Sequence, residues 1–73
     1  MEDTRVHDVT VDREGIRLGQ FLKLAGLIES GADAKVVLAE GAVRVNGRPE
    51  ARRGRQLTRG DVVQLGTQKA RVA

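Results

Sequence analysis

An α+β fold, with two short helices ahead of a small, mostly antiparallel sheet, is what this sequence predicts, and three observations carry it. Leu18, Phe21, Leu22 and Ala25 recur at i, i+3, i+4 and i+7, the spacing of one apolar helix face. Ser30 and Asp33 stand three apart, as the two ends of a capping box do. From residue 42 the period changes from 3.6 to two: Val43 and Val45 alternate with Arg44, and Asn46-Gly47 is the strongest two-residue hairpin signal. The expectation is one domain over residues 1–73. A chain so short buries only roughly 60% of its unfolded surface, so each apolar contact counts.

The elements follow in order. Val-His-Asp-Val-Thr-Val over 6–11 favours a strand, with His7, Val9 and Val11 on one face and Val6, Asp8 and Thr10 on the other. Glu14-Gly15 turns the chain. A helix is expected over 17–25, with Gly19, Gln20 and Lys23 on its polar side. Gly26 suits the left-handed position that ends it, and Leu27 then packs on Leu22. A second helix runs from the Ser30 cap to Glu40, buries Ala34, Val37 and Leu38, and stops at Gly41. Beyond the Asn46-Gly47 turn, Arg52-Arg53-Gly54-Arg55 is too charged and too glycine-broken for a core, so it reads as an exposed loop or edge. Arg59-Gly60-Asp61 turns into a strand over 62–65. Gly66-Thr67-Gln68 turns again, and 69–72 pairs back as the last strand.

Charge is concentrated rather than merely abundant. Arg44, Arg48, Arg52, Arg53, Arg55 and Arg59 fall within sixteen residues, opposed only by Glu50, so this segment carries +5 while the whole chain carries +3. An inert surface intersperses both signs. A clustered basic patch on a shaped element is the electrostatic footprint of a nucleic-acid binder, and arginine's planar fork suits phosphate oxygens. Residues 1–16 run the other way, at −3, which reads first as a solvated strand and chain end.

Composition narrows the possible chemistry. Phe21 is the one aromatic residue, so no platform for stacking bases can be built, and any nucleic-acid contact must use phosphates, sugars and shape. The chain has no cysteine, one serine and one histidine. Ser30 has a structural task as a helix cap, and His7 has no matched partners for a catalytic triad. No His and carboxylate cluster has metal-ligand spacing, so no metal or cofactor is expected. Gly26-Leu27-Ile28-Glu29-Ser30-Gly31 matches the first six places of a phosphate-binding P-loop, but Ala32-Asp33 replaces the required Lys-Ser/Thr and the acids oppose phosphate. No apolar run reaches the roughly 20 residues of a membrane span, and the acidic Met-Glu-Asp-Thr-Arg start lacks a signal-peptide layout. A cytoplasmic, non-enzymatic protein is the expectation.

The order of motifs resembles the S-four RNA-binding domain, the family named for the fourth protein of the small ribosomal subunit. Ser30, Asp33, Ala34 and Lys35 match its second-helix opening. Residues 41–47 match its Gly-x-Val-x-Val-Asn-Gly turn, and Gly60-Asp61 its late Gly-Asp before a strand. The run from Ile16 to Gly31 is most similar to the small stand-alone, YbcJ-like members. The resemblance covers about residues 16–65 and implies an alpha-L-type fold that presents one basic face to structured RNA, ribosomal or transfer, with ribosomal or ribonucleoprotein association. It implies Lys35 as the second-helix contact, Arg44 and Arg48 flanking the hairpin, and Arg52, Arg53 and Arg55 extending the face. Arg59 belongs to the same basic run, and Arg17 and Lys23 on the first helix are further candidates. Many family members carry arginine directly after the second-helix serine, where this chain has Gly31.

Two other function classes fit less well. An adaptor could use the basic face to bind an acidic protein partner. A β-grasp carrier would share the small size and several strands, but such carriers need a Gly-Gly end, and this chain reads Arg-Val-Ala.

Overall fold

The computed structural model describes residues 6–12 and 15–73. Its elements in chain order are β1 (Val6–Val9), β2 (Ile16–Arg17), α1 (Leu18–Leu24), α2 (Gly31–Ala39), β3 (Val43–Val45), β4 (Arg48–Pro49), β5 (Gln56–Leu57), β6 (Val62–Leu65) and β7 (Gln68–Val72). Five strands form one sheet in the order β1-β7-β6-β3-β4, and β2 pairs with β5 in a second, two-stranded sheet. All pairs are antiparallel except β1 with β7. The class is therefore α+β, with two helices and a mostly antiparallel sheet. Glu14 of the expected Glu14-Gly15 turn, and much of the acidic stretch before it, lie outside the described residues.

Both helices end, and the second begins, as their sequences dictate. Gly26, at φ 75°, takes the left-handed position after α1. Its N–H bonds the Lys23 carbonyl at 3.1 Å, and the Leu27 N–H bonds the Leu22 carbonyl at 3.0 Å, which together form a Schellman motif. The α2 terminus repeats it, with Gly41 bonding Leu38 and Ala42 bonding Val37. At the α2 start, Ser30 Oγ accepts the Asp33 N–H at 3.4 Å, and Asp33 Oδ2 accepts the Ser30 N–H at 3.2 Å.

The core is one apolar cluster. Leu18, Phe21 and Leu22 of α1 and Ala34 and Leu38 of α2 pack with Val43, Val45, Val63, Ala70 and Val72 of the large sheet. Ile16 and Leu57, paired across the small sheet, are buried with them. Val37 is only half-buried. Each large side chain fully buried in this way contributes about 1.5–3 kcal/mol. Phe21 is 0% exposed, so the single aromatic ring is spent on the core.

The pleat sorts the sheet residues. Val43, Val45, Val63, Ala70 and Val72 face the core, which puts Arg44, Gln64 and Lys69, in register across three strands, on the opposite face. There Arg71 meets Asp8 across the β1–β7 pairing at 2.7 Å. His7 pairs with Ala70 at the sheet edge and stays exposed.

Three features differ from the sequence reading. The first strand stops at Val9 and runs parallel to the last one, a long-range pairing without a local signature. The small β2–β5 sheet has two-residue strands, too short to show any period. The first helix begins at Leu18, because Arg17 is still extended at φ −77°, ψ 148° and belongs to β2.

Candidate nucleic-acid interface

The basic loop is fastened to the start of α1. A helix leaves its first N–H groups without partners inside the helix. Here the Leu18 N–H donates to the Arg55 carbonyl at 2.8 Å and the Gly19 N–H to the Arg53 carbonyl at 3.0 Å. The Arg17 N–H reaches Gln20 Oε1 at 3.3 Å. The loop lies so close that a Cβ on Gly19 would stand 2.5 Å from Arg53 Cγ. Glycine at position 19 is thus what lets the Arg53 side chain lie against the helix.

Glu50 shapes the same loop from the other end. Its own N–H bonds the Val43 carbonyl at 3.0 Å, anchoring it to β3. Its carboxylate accepts the backbone N–H groups of Ala51 and Arg52, Arg52 Nε and Nη2 at 3.2 Å each, and Arg55 Nη1 at 3.0 Å. The Arg52 side-chain hydrogen bonds, then its backbone N–H, then Arg55, outweigh the cost of burial and hold the carboxyl at about 2. The Glu50 side chain is 10% exposed and that of Arg52 77%, so the pair is half sunk in the loop and half open to solvent. Glu50 therefore offsets one of the two charges on Arg52 and Arg55.

Arg53, between them, points elsewhere. It borders a groove of about 440 Å³ together with Arg17 and Lys23. Gln20, Gly19, Gly31, Ala34 and Gly54 complete the lining, and no described carboxylate takes part. Two cations of the α1 region and one from the distant basic loop thus converge where α1, the start of α2 and that loop meet.

The other expected contact residues are spread more widely. Lys35 is exposed on α2, next to Ala34 of the groove. Arg48 is exposed on the edge strand β4. Arg44 lies on the sheet face turned away from the core, where its Nη1 donates to the Gly47 carbonyl at 3.2 Å. Arg59 borders a separate hollow of about 730 Å³ that also includes Asp12, Thr58 and Val72. The run of six arginines in sequence is therefore divided in space: Arg53 turns to the groove, Arg52 and Arg55 share Glu50, and Arg44, Arg48 and Arg59 lie on other surfaces.

The two turn motifs of the sheet meet each other. Asn46, at φ 53°, and Gly47, at φ 83°, make the expected type I′ hairpin. The Asn46 side chain then crosses to the Gly60-Asp61 turn. Its Nδ2 donates to Asp61 Oδ1 at 3.0 Å, and its Oδ1 accepts the Val62 N–H at 3.0 Å. Asp61 also accepts the Thr58 N–H at 2.9 Å. Burial pushes the Asp61 carboxyl up, but the hydrogen bonds from Thr58 and Asn46, together with the charge of Arg55, outweigh it and leave it below the usual range. Sequence reasoning assigned Asn46 to its own turn and had no signal for this partnership.

No described helix is long and apolar enough to cross a membrane, and no described group of His, Cys, Asp and Glu could hold a metal ion. Comparison with known proteins agrees with the motif order. The chain is 54% identical over 57 residues to the "Probable ribosome maturation protein RlbA" of Bacillus subtilis (strain 168), covering 78% of this chain and 80% of that one. It is 39% identical over 57 residues to the "Putative RNA-binding protein YbcJ" of Escherichia coli (strain K12), covering 78% of this chain and 81% of the other. The family model described as S4 domain matches residues 9–73, nearly the whole chain. With that match, the chain belongs to the S4 domain family.

Proposed function

We propose that this protein is a non-catalytic RNA-binding module, a single domain over residues 1–73, that docks on structured ribosomal or transfer RNA through its backbone. One observation carries this reading: Arg17, Lys23 and Arg53 line one groove that no described carboxylate borders. Each cation that neutralises a phosphate releases condensed counterions, which makes binding strong at low salt and steeply salt-dependent. Arg52 and Arg55, with their residual charge, and Lys35 flank this centre. Arg48 extends the contact along the sheet edge, and Arg44 and Arg59 contribute long-range attraction from other surfaces.

Shape, not base identity, governs recognition in this reading. Phe21 is buried, so no side chain offers an aromatic face to an unstacked base. Phosphate and 2′-hydroxyl contacts to folded RNA remain. The names of the two relatives, one for ribosome maturation and one for RNA binding, support the same partner class.

The direct test reverses the groove. The Arg17→Glu, Lys23→Glu, Arg53→Glu triple variant should lose binding to ribosomal and transfer RNA in fluorescence anisotropy while its Tm stays within a few degrees of wild type. Undiminished affinity would remove the groove from the interface. Protein partners that survive nuclease treatment, in the absence of any RNA binding, would favour an adaptor instead.

A further inference from the structure

Two of the glycines around the groove have no structural reason to be glycine. Gly19 has one, the approach of Arg53. Gly31 and Gly54 do not: neither adopts a positive φ, and a Cβ on either would meet nothing within 4 Å. Gly31 also occupies a helical position, the first of α2, where glycine is a poorer choice than alanine. Folding alone would therefore favour a side chain at 31 and tolerate one at 54. Both residues line the groove that Arg17, Lys23 and Arg53 surround.

Resting on the RNA-binding reading above, we propose that this groove is a seat for one phosphodiester group of an RNA strand, held by Arg17, Lys23 and Arg53, and that Gly31 and Gly54 keep it open for close approach of the backbone. Three cations around one concavity match the charge of a phosphate and its neighbours. Bare glycine walls let the sugar-phosphate chain descend to the level where guanidinium forks reach its oxygens.

The experiment separates room from charge. Gly31→Ala and Gly54→Ala change no charge. Labelled hairpins from ribosomal RNA are titrated with wild type, each single variant and the double variant over a range of salt concentrations, and the Tm of each protein is recorded. The double variant is expected to bind at least about fivefold more weakly, with a slope of log K against log salt shallower by about 0.9, one phosphate contact. Its Tm should equal or exceed that of wild type. Wild-type affinity and slope in the double variant would overturn the seat while leaving the RNA-binding reading intact. A fall in Tm of several degrees would also overturn it, since the glycines would then serve the fold. If wild type binds none of the hairpins, both readings fall together.

Discussion

The corner where Asn46 meets Asp61 and the groove where Arg53 meets α1 treat polar groups in opposite ways. At the corner, the Asn46 and Asp61 side chains are turned inward on the chain itself: the amide uses both its ends, and the carboxylate collects donors from Asn46 and Thr58. At the groove, Arg17, Lys23 and Arg53 face a shared space with no described carboxylate among them. The first arrangement joins two turns of the sheet; the second leaves charge available. Within the arginine loop the same contrast recurs at single-residue resolution, because Arg52 and Arg55 serve Glu50 while Arg53 does not. Charge density along a sequence therefore overstates the charge a ligand meets.

The contrast can be broken most forcefully at the corner. Asn46→Val places a β-branched residue at φ 53° and strands the Val62 N–H and an Asp61 oxygen. It should cost about 3 kcal/mol. In a domain of this size that lowers Tm by roughly 10 °C or more, measurable by circular dichroism. A variant that melts with wild type would show that the corner does not hold the sheet together.

The next test sharpens the difference inside the loop. Arg53→Ala should weaken RNA binding about fivefold and reduce the salt slope by about 0.9, as the loss of one phosphate contact requires. Arg52→Ala should weaken it no more than about twofold, because half of that charge is already offset by Glu50. Equal losses in the two variants would mean that the Glu50 pairing does not withhold charge from RNA.

The smallest effect belongs to Glu50 and is seen in its pH dependence. Its carboxyl is depressed in the folded protein from 4.5 to about 2. A depressed acid stabilises the fold fully above its unfolded pKa, and that contribution disappears as pH falls through the folded value. Glu50→Gln should therefore melt a few degrees below wild type at neutral pH. The gap should narrow below about pH 4.5 and close near pH 2. A gap that persists unchanged at low pH would mean that the loop owes its shape to something other than the ionised carboxylate.

Local physics made much of the fold legible beforehand. The α1 face, the Ser30–Asp33 box, the glycine stops at 26 and 41, and the type I′ turn all rest on interactions within a few residues, and a short stretch of sequence records each of them. The parallel β1–β7 pairing and the two-residue β2–β5 pairing join segments about 40 to 60 residues apart and leave no period to read. The candidate site divides along the same line. Its ingredients, an excess of arginine and an absence of aromatics, were countable. Which arginines remain open was not, because that depends on Glu50 folding back over its own loop and on Gly19 admitting Arg53.

The sequence by itself determined the two helices, their glycine stops, the Ser30 cap, the hairpin and the positive character of the chain, since capping, left-handed glycines and net charge are short-range or additive properties. Only the tertiary structure decided that Arg17, Lys23 and Arg53 would share a groove while Arg44 and Arg59 would not. That choice comes from long-range strand pairing and from two loop carbonyls capping the first N–H groups of α1, contacts whose partners are distant in the chain and meet only once the core has closed.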